Sequence, residues 1–225
     1  MFLHNREELQ NLRKEAEKRL HAAKLRVLVC AGTGCIASGS KEIYDKMKEL
    51  SEENGQVSVE FEGEVPHPEI RKSGCHGFCE MGPLMRIEPL GILYIKVKVE
   101  DCEEIYEKTI CQGQPIERLL YHKDGQVYQS EEAIPFYAGQ MRLVLKNCGH
   151  IDAENIEEYI AVGGYSALEK VLFDIDKDTA LDMMEESGLR GRGGGGFPAG
   201  RKWKQVARQK ETQRYVVCNG DEGDP

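Results

Sequence analysis

Four cysteines arranged as two close pairs constrain this chain more than any other feature. Cys30 and Cys35 enclose four residues in CAGTGC, and 39 residues later Cys75 and Cys79 enclose three in CHGFC. Two thiolate pairs, each in a glycine-bearing loop beside a strand, can surround one small metal centre, so the fold has to bring those loops together. Glycine serves such loops because backbone amides can then approach the sulfurs and donate hydrogen bonds to them. The first spacing is wider than that of structural zinc knuckles, and it is not the C-x-x-C of a thiol redox pair. The spacing leaves open an iron-sulfur cluster, a zinc site and four reduced core thiols. Cys102, Cys111, Cys148 and Cys218 stand alone and are expected to be buried, inert thiols.

The compartment bears on the same question. The N-terminal MFLHNREELQNLRKEAEKRL carries charge throughout, with no apolar core or small-residue cleavage site, which predicts a cytoplasmic chain. Eight cysteines there are not a disulfide framework, because the cytosol keeps thiols reduced. No run approaches the roughly 18 apolar residues of a spanning helix, so no membrane insertion is expected. Apolar content of 40% and charged content of 31% are those of an ordinary globular chain, and 225 residues suffice for two modest domains.

The net charge of -9 is unevenly spread. Residues 190–214 hold eight Arg and Lys against Glu211 alone, a balance of +7, and the closing DEGD carries -3, which leaves residues 1–189 at -13. An acidic body with one basic, glycine-rich segment points to a local anion site rather than a nucleic-acid surface.

Apolar periodicity predicts an amphipathic helix over 5–23, a buried strand over 25–30, a glycine loop, a helix from Ser40 to near Gly55 and a strand over 57–61. Residues 67–82 read as loop. Two strands, 84–87 and 92–97, follow as a hairpin, and then a helix from Asp101 to about Gln112. The order is that of an α/β domain with a β-α-β unit, a hairpin and a final helix. Residues 114–145 read as a connector with weak strand signals at 119–121 and 141–145. Three helices follow, capped at Asp152, starting at Tyr165 and starting at Asp178. A glycine-rich loop, a helical stretch over 203–208 and a strand YVVC close the chain.

Gly191, Gly193 and Gly196 satisfy G-x-G-x-x-G, but a helix precedes them where the dinucleotide motif needs a strand. A Walker loop fails as well, because Trp203 stands where Ser or Thr would hold magnesium. What remains is a loop whose glycines allow close backbone approach to an anion, with Arg192, Arg201 and Lys202 as counter-charges.

The string CxxxxC followed by CHGFCEMGP resembles the thioredoxin-like 2Fe-2S ferredoxins. The resemblance covers about residues 1–112 and implies that Cys30, Cys35, Cys75 and Cys79 ligate the cluster. SGLRGRGGGGFPAGRKW with YVVCNGDEGDP resembles the flavin subunits of complex I and, more closely, of electron-bifurcating and NADP-reducing hydrogenases. That second resemblance covers about residues 140–225. It implies that Gly191, Arg192, Gly193, Gly194 and Lys202 meet the phosphate and ring of FMN, that Asn219, Asp221 and Glu222 line the isoalloxazine, and that Phe197 stacks on the adenine of NAD(H) or NADP(H). Gly195, Ala199 and Asp224 depart from the usual complex I residues, which leaves the choice of nucleotide open.

Together the two resemblances imply an α/β chain: a thioredoxin-like ferredoxin domain over 1–113, the connector, and an incomplete α/β flavin-binding domain over 146–225, cut short at Pro225. The expected function is electron transfer between FMN and a 2Fe-2S cluster in a hydrogenase-type or complex I-like assembly of several subunits, this segment alone being inactive. The alternative is a zinc-holding, non-catalytic docking module.

Overall fold

The apolar run RVLVC becomes β1 (Arg26–Cys30), buried along its whole length, and the first half of the chain is arranged around it. The structure is a computed structural model that describes residues 3–22, 25–57, 68–213, 215 and 217, and it divides into two compact units, 1–163 and 164–225.

In the first unit, β1 lies inside a sheet of order β2-β1-β3-β4, with β2 (Glu69–Ser73), β3 (Met85–Glu88) and β4 (Ile92–Tyr94). A strand covered on both faces needs no alternation, which is why β1 reads as continuous hydrophobic sequence. The chain starts with α1 (Arg6–Ala22); after β1 come a short α2 (Thr33–Ala37) and α3 (Ser40–Val57). β2 then pairs parallel to β1, and β3 and β4 pair antiparallel as a hairpin. α4 (Cys102–Glu104) continues as a π-helix over Ile105–Ile110. Val27, Val29, Ile43, Met47, Ile87 and Ile105 fill the core between sheet and helices. Each such side chain contributes about 1.5–3 kcal/mol by leaving water.

The β-α-β order holds, but its second strand lies elsewhere than expected. Val57 ends α3, residues 58–61 lie outside the described residues, and the strand is β2, within the stretch expected to be loop. EIRKS buries only Ser73, so this strand carries no apolar signature. It needs none, because parallel hydrogen bonds to β1 rather than burial hold it in the sheet.

Residues 114–145 also differ from expectation, since they are folded onto the first unit. They form a hairpin, β5 (Tyr121–Lys123) with β6 (Gln126–Tyr128), and a short α5 (Pro135–Ala138), while no strand forms over 141–145. The amides of Leu93 and Ile95 on the β4 side donate to Gln129 O and Leu119 O, both at 2.9 Å, and Ile134 is fully buried. Residues 146–163, expected with the flavin domain, likewise stay with the first unit. Ser73 bridges to Asp152, and α6 (Ile156–Ala161), capped by Asn155 rather than Asp152, lies against α1. A buried ion pair, Arg26 to Glu158 at 2.5 Å, joins β1 to α6. The division therefore falls after Gly163, not in the 114–145 segment.

The second unit holds α7 (Ser166–Phe173), α8 (Lys177–Glu186) and α9 (Ala199–Ala207). Asp176 caps α8 by accepting from the amides of Asp178 and Thr179. α9 packs on α8 at Gly200, where an added Cβ would collide with the backbone of Glu185. Tyr215 and Val217 are not in a strand, and the rest of YVVC lies outside the described residues.

Candidate metal centre and anion loop

The parallel register of β1 and β2 pairs Cys30 with Ser73, so CAGTGC and CHGFC leave the sheet at the same end. Cys30 ends β1 and Cys35 sits in α2, both buried; Cys75 and Cys79 are exposed, Cys79 opening a 3-10 turn to Met81. The glycines between them mark how closely the loops meet. A Cβ on Gly32 would stand 2.9 Å from Cys75 Cβ and 3.0 Å from its Sγ, one on Gly82 2.7 Å from Cys35 Sγ, and one on Gly34 3.6 Å from Cys79 Sγ. Each of these glycines lies against a cysteine of the site, so a side chain at Gly32 or Gly82 would occupy sulfur space.

The four thiols interact with one another. Hydrogen bonding from Cys35 holds Cys30 down to about 6 against the opposing effect of burial, helped by the amides of His76 and Gly32 and by Cys75. Cys35 is pushed up, by its bond to Cys30 first and then by burial. Cys75 is raised, mainly by burial of its sulfur, although the amide of Gly77 donates to it at 3.3 Å. The set surrenders its first proton readily at Cys30, as metal ligation requires. Four sulfur donors ringed by backbone amides fit an iron-sulfur cluster. Among the described residues no three His, Cys, Asp or Glu side chains are gathered tightly enough to enclose a single ion.

Residues of the 114–145 segment wall this site. Phe78 stacks on Phe136 at 4.4 Å and meets Tyr137 edge-on at 5.5 Å. Arg142 donates to the carbonyl of His76 and pairs with Glu131, which Arg86 of β3 holds at 2.6 Å. His76 is fully buried, its Nε2 on Ser73 Oγ at 2.7 Å. Of the isolated cysteines, Cys102 is buried as expected and burial pushes it up to about 12, whereas Cys111 is exposed. Cys148 is half-buried, and its Sγ lies 3.5 Å from where a Gly74 Cβ would be. Cys218 lies outside the described residues.

The glycine loop closes on itself between α8 and α9. Gly191 N donates to Phe197 O and Ala199 N to Leu189 O, both at 2.8 Å, and Arg190 reaches Gly196 O at 3.2 Å. Gly194 and Gly196 adopt positive φ, and a Cβ at any position from Gly193 to Gly196 would meet nothing within 4 Å. The loop thus presents bare backbone to an incoming group. Arg192 and Lys202 are exposed, and Arg201 lies over Phe197 at 5.9 Å. The loop feeds α9, so the positive end of that helix dipole adds to these charges. Beside it opens an apolar cavity of about 1000 Å³, with Leu168, Met183, Leu189 and Trp203 in its wall and Arg192 at its edge.

Comparison with known proteins follows this division. Residues 18–109 match the family model of the thioredoxin-like [2Fe-2S] ferredoxins, and residues 184–225 match that of the Nuo51 FMN-binding domain. The chain is thus similar to the thioredoxin-like [2Fe-2S] ferredoxins over one stretch and to part of the Nuo51 FMN-binding domain over another. Over 86 residues it is 51% identical to the NADP-reducing hydrogenase subunit HndC of Solidesulfovibrio fructosivorans, covering 38% of this chain and 17% of that protein. Over 99 residues it is 43% identical to an NADH-quinone oxidoreductase subunit of Aquifex aeolicus, covering 43% and 23%. The chain therefore spans about a fifth of the length of these curated relatives. A solved thioredoxin-like [2Fe-2S] ferredoxin from Aquifex aeolicus is 31% identical over 44% of this chain and 97% of its own, at a TM-score of 0.38.

The first unit brings Cys30, Cys35, Cys75 and Cys79 into mutual contact range. The Nuo51 part places Gly191, Arg192, Gly193, Gly194, Phe197 and Lys202 in or beside one loop, while Asn219, Asp221 and Glu222 lie outside the described residues. Sequence reasoning missed Arg142, Phe136 and Tyr137, which no local motif marks. It also missed Gly82, whose signal was its place in CEMGP, directly after the second pair.

Proposed function

We propose that this chain is an electron-transfer segment of an NAD(P)H-linked flavoprotein oxidoreductase. Its ferredoxin domain holds a [2Fe-2S] cluster on Cys30, Cys35, Cys75 and Cys79, and its Nuo51 part holds one wall of an FMN site on Gly191, Arg192, Gly193, Gly194, Phe197 and Lys202, with Asn219, Asp221 and Glu222. The observation that carries the proposal is the meeting of two thiol pairs at one end of the β1-β2 sheet, with glycines pressed against them. When bound, FMN exchanges a hydride with the nicotinamide nucleotide and the cluster carries single electrons.

The chain's own residues bind and tune. Amides of Gly32, His76 and Gly77 donate to sulfur, which favours the more negative, reduced state of a bound cluster. Phe78, Phe136 and Tyr137 screen the ligand loop from water on one side. In the Nuo51 part, Arg192 and Lys202 supply charge for a phosphate and the open glycine run supplies amides. The proposal extends to partners: other subunits of a multi-subunit redox complex and a nicotinamide nucleotide, with no nucleic acid, at a cytoplasmic location. No helix among the described residues is long and apolar enough to cross a membrane.

Anaerobic purification followed by iron, acid-labile sulfide, zinc and flavin analysis tests this. The expected result is two irons and two sulfides per chain, lost when Cys30, Cys35, Cys75 or Cys79 is replaced by Ser and kept in Cys102→Ser and Cys111→Ser. Stoichiometric zinc without iron would leave the docking-module alternative standing instead.

A further inference from the structure

The peptide between His76 and Gly77 is held on both sides. Its carbonyl accepts from Arg142 Nη2, and its N–H donates to Cys75 Sγ at 3.3 Å. In a trans peptide these two groups point in opposite directions, so fixing the carbonyl aims the amide. Gly77 sits at φ +80°, and with no Cβ on that residue the chain itself sets little preference for one orientation of the preceding peptide. The selection must come from outside the loop.

Arg142 is built to make it. The side chain is 16% exposed and comes from 66 residues further along the chain than His76. Its Nη1 pairs with Glu131 Oε1 at 3.3 Å, its Nε approaches Gln140 Oε1 at 3.4 Å, and its guanidinium lies 4.9 Å from the centre of the Tyr137 ring. Glu131 is itself held by Arg86 of β3, so the contact is anchored to the sheet. Nη2 also fills the space where a Gly77 Cβ would be, 3.1 Å away.

We infer that Arg142 is a positioning residue for the metal centre: it selects the orientation of the His76–Gly77 peptide in which the amide faces the Cys75 sulfur. The inference rests on the proposal that Cys75 is a cluster ligand. With the peptide turned over, a carbonyl would face that sulfur, opposing the extra negative charge of the reduced cluster. Because the bond is stronger to the reduced cluster, its loss should lower the reduced-to-oxidised ratio about tenfold at fixed solution potential, about 59 mV for one electron.

The test uses the full chain with its cluster assembled anaerobically and 15N-glycine incorporated, read by redox titration and by pulsed hyperfine spectroscopy of the reduced state. The wild type should show two coupled glycine amides, Gly32 against Cys30 and Gly77 against Cys75, of which Arg142→Ala loses one together with the tenfold shift, while Arg142→Lys, which keeps a donor for the carbonyl, restores both. Two coupled glycine amides in Arg142→Ala overturn the inference, even if the potential moves, because a bare charge effect would not turn the peptide. If Arg142→Ala fails to fold by far-UV circular dichroism, Arg142→Lys and the wild type decide, and a wild type with fewer than two coupled glycine amides overturns it. A wild type that assembles no iron at all would instead sink the cluster assignment itself.

Discussion

Gly82 and Gly32 leave their neighbouring sulfurs no slack, since a methyl at either would press on Cys35 or Cys75 at 3.0 Å or less. Gly82→Ala and Gly32→Ala should therefore lower iron and sulfide content per chain, whereas Gly34→Ala, with 3.6 Å to Cys79, should be tolerated; metal analysis after reconstitution compares the three. His76 provides a second test at this scale. Burial, reinforced by Arg86, His150 and Arg142, lowers it to about 3, so the folded chain keeps it neutral where the unfolded chain protonates it near 6.5. Between those values the unfolded state binds the extra proton, and stability falls as pH drops, by at most about 1.4 kcal/mol per pH unit. Urea unfolding of the metal-free chain at pH 7, 6 and 5 should show that slope, and His76→Gln should flatten it. An equal slope in the variant would remove His76 as its source.

At the scale of elements, the segment after the ferredoxin core is the one that sequence reasoning placed least well. Its apolar residues are spread over short pieces, so no long periodicity marks it, yet Ile134 and Tyr137 join Phe78, Leu84 and Leu93 in one apolar cluster with Cys30 and Cys35. Ile134→Ala should cost about 2–5 kcal/mol, as a fully buried aliphatic side chain does, and a change below about 1 kcal/mol in denaturant unfolding would contradict this packing. Limited proteolysis checks the same point without mutation. Cuts should collect near Gly163–Gly164 and spare 117–138, leaving a coloured fragment that ends near residue 163. A coloured fragment ending near residue 113 would show that the segment is a detachable linker after all.

For the whole molecule, the two proposed sites lie on separately compact units. The thiol site has all four cysteines in one unit. In the second unit Trp203 is half exposed in the wall of the apolar cavity, and the chain spans only 17% and 23% of the relatives it matches. A site that encloses little of its ligand forgoes most of the burial on which affinity depends. FMN should therefore bind this chain at least about tenfold more weakly than a chain extended through the rest of the Nuo51 domain, with correspondingly less NADH-dependent dye reduction. Comparable turnover by the 225-residue chain would show that these residues suffice.

The sequence by itself determined the two thiol pairs, the α/β order of the first domain and the basic glycine loop. Cysteine spacing, apolar periodicity and glycine runs are local patterns, and each is imposed by chemistry within a few residues of chain. Only the tertiary structure decided that EIRKS is a strand, because an edge strand is held by a neighbour's hydrogen bonds and not by its own apolar side chains. It alone decided that residues 114–163 belong to the first unit, through Ile134, the Arg26–Glu158 pair and the Ser73–Asp152 bridge. Arg142 is the clearest case: a single arginine carries no sign of its target, and its meaning comes from the carbonyl that the fold sets before it.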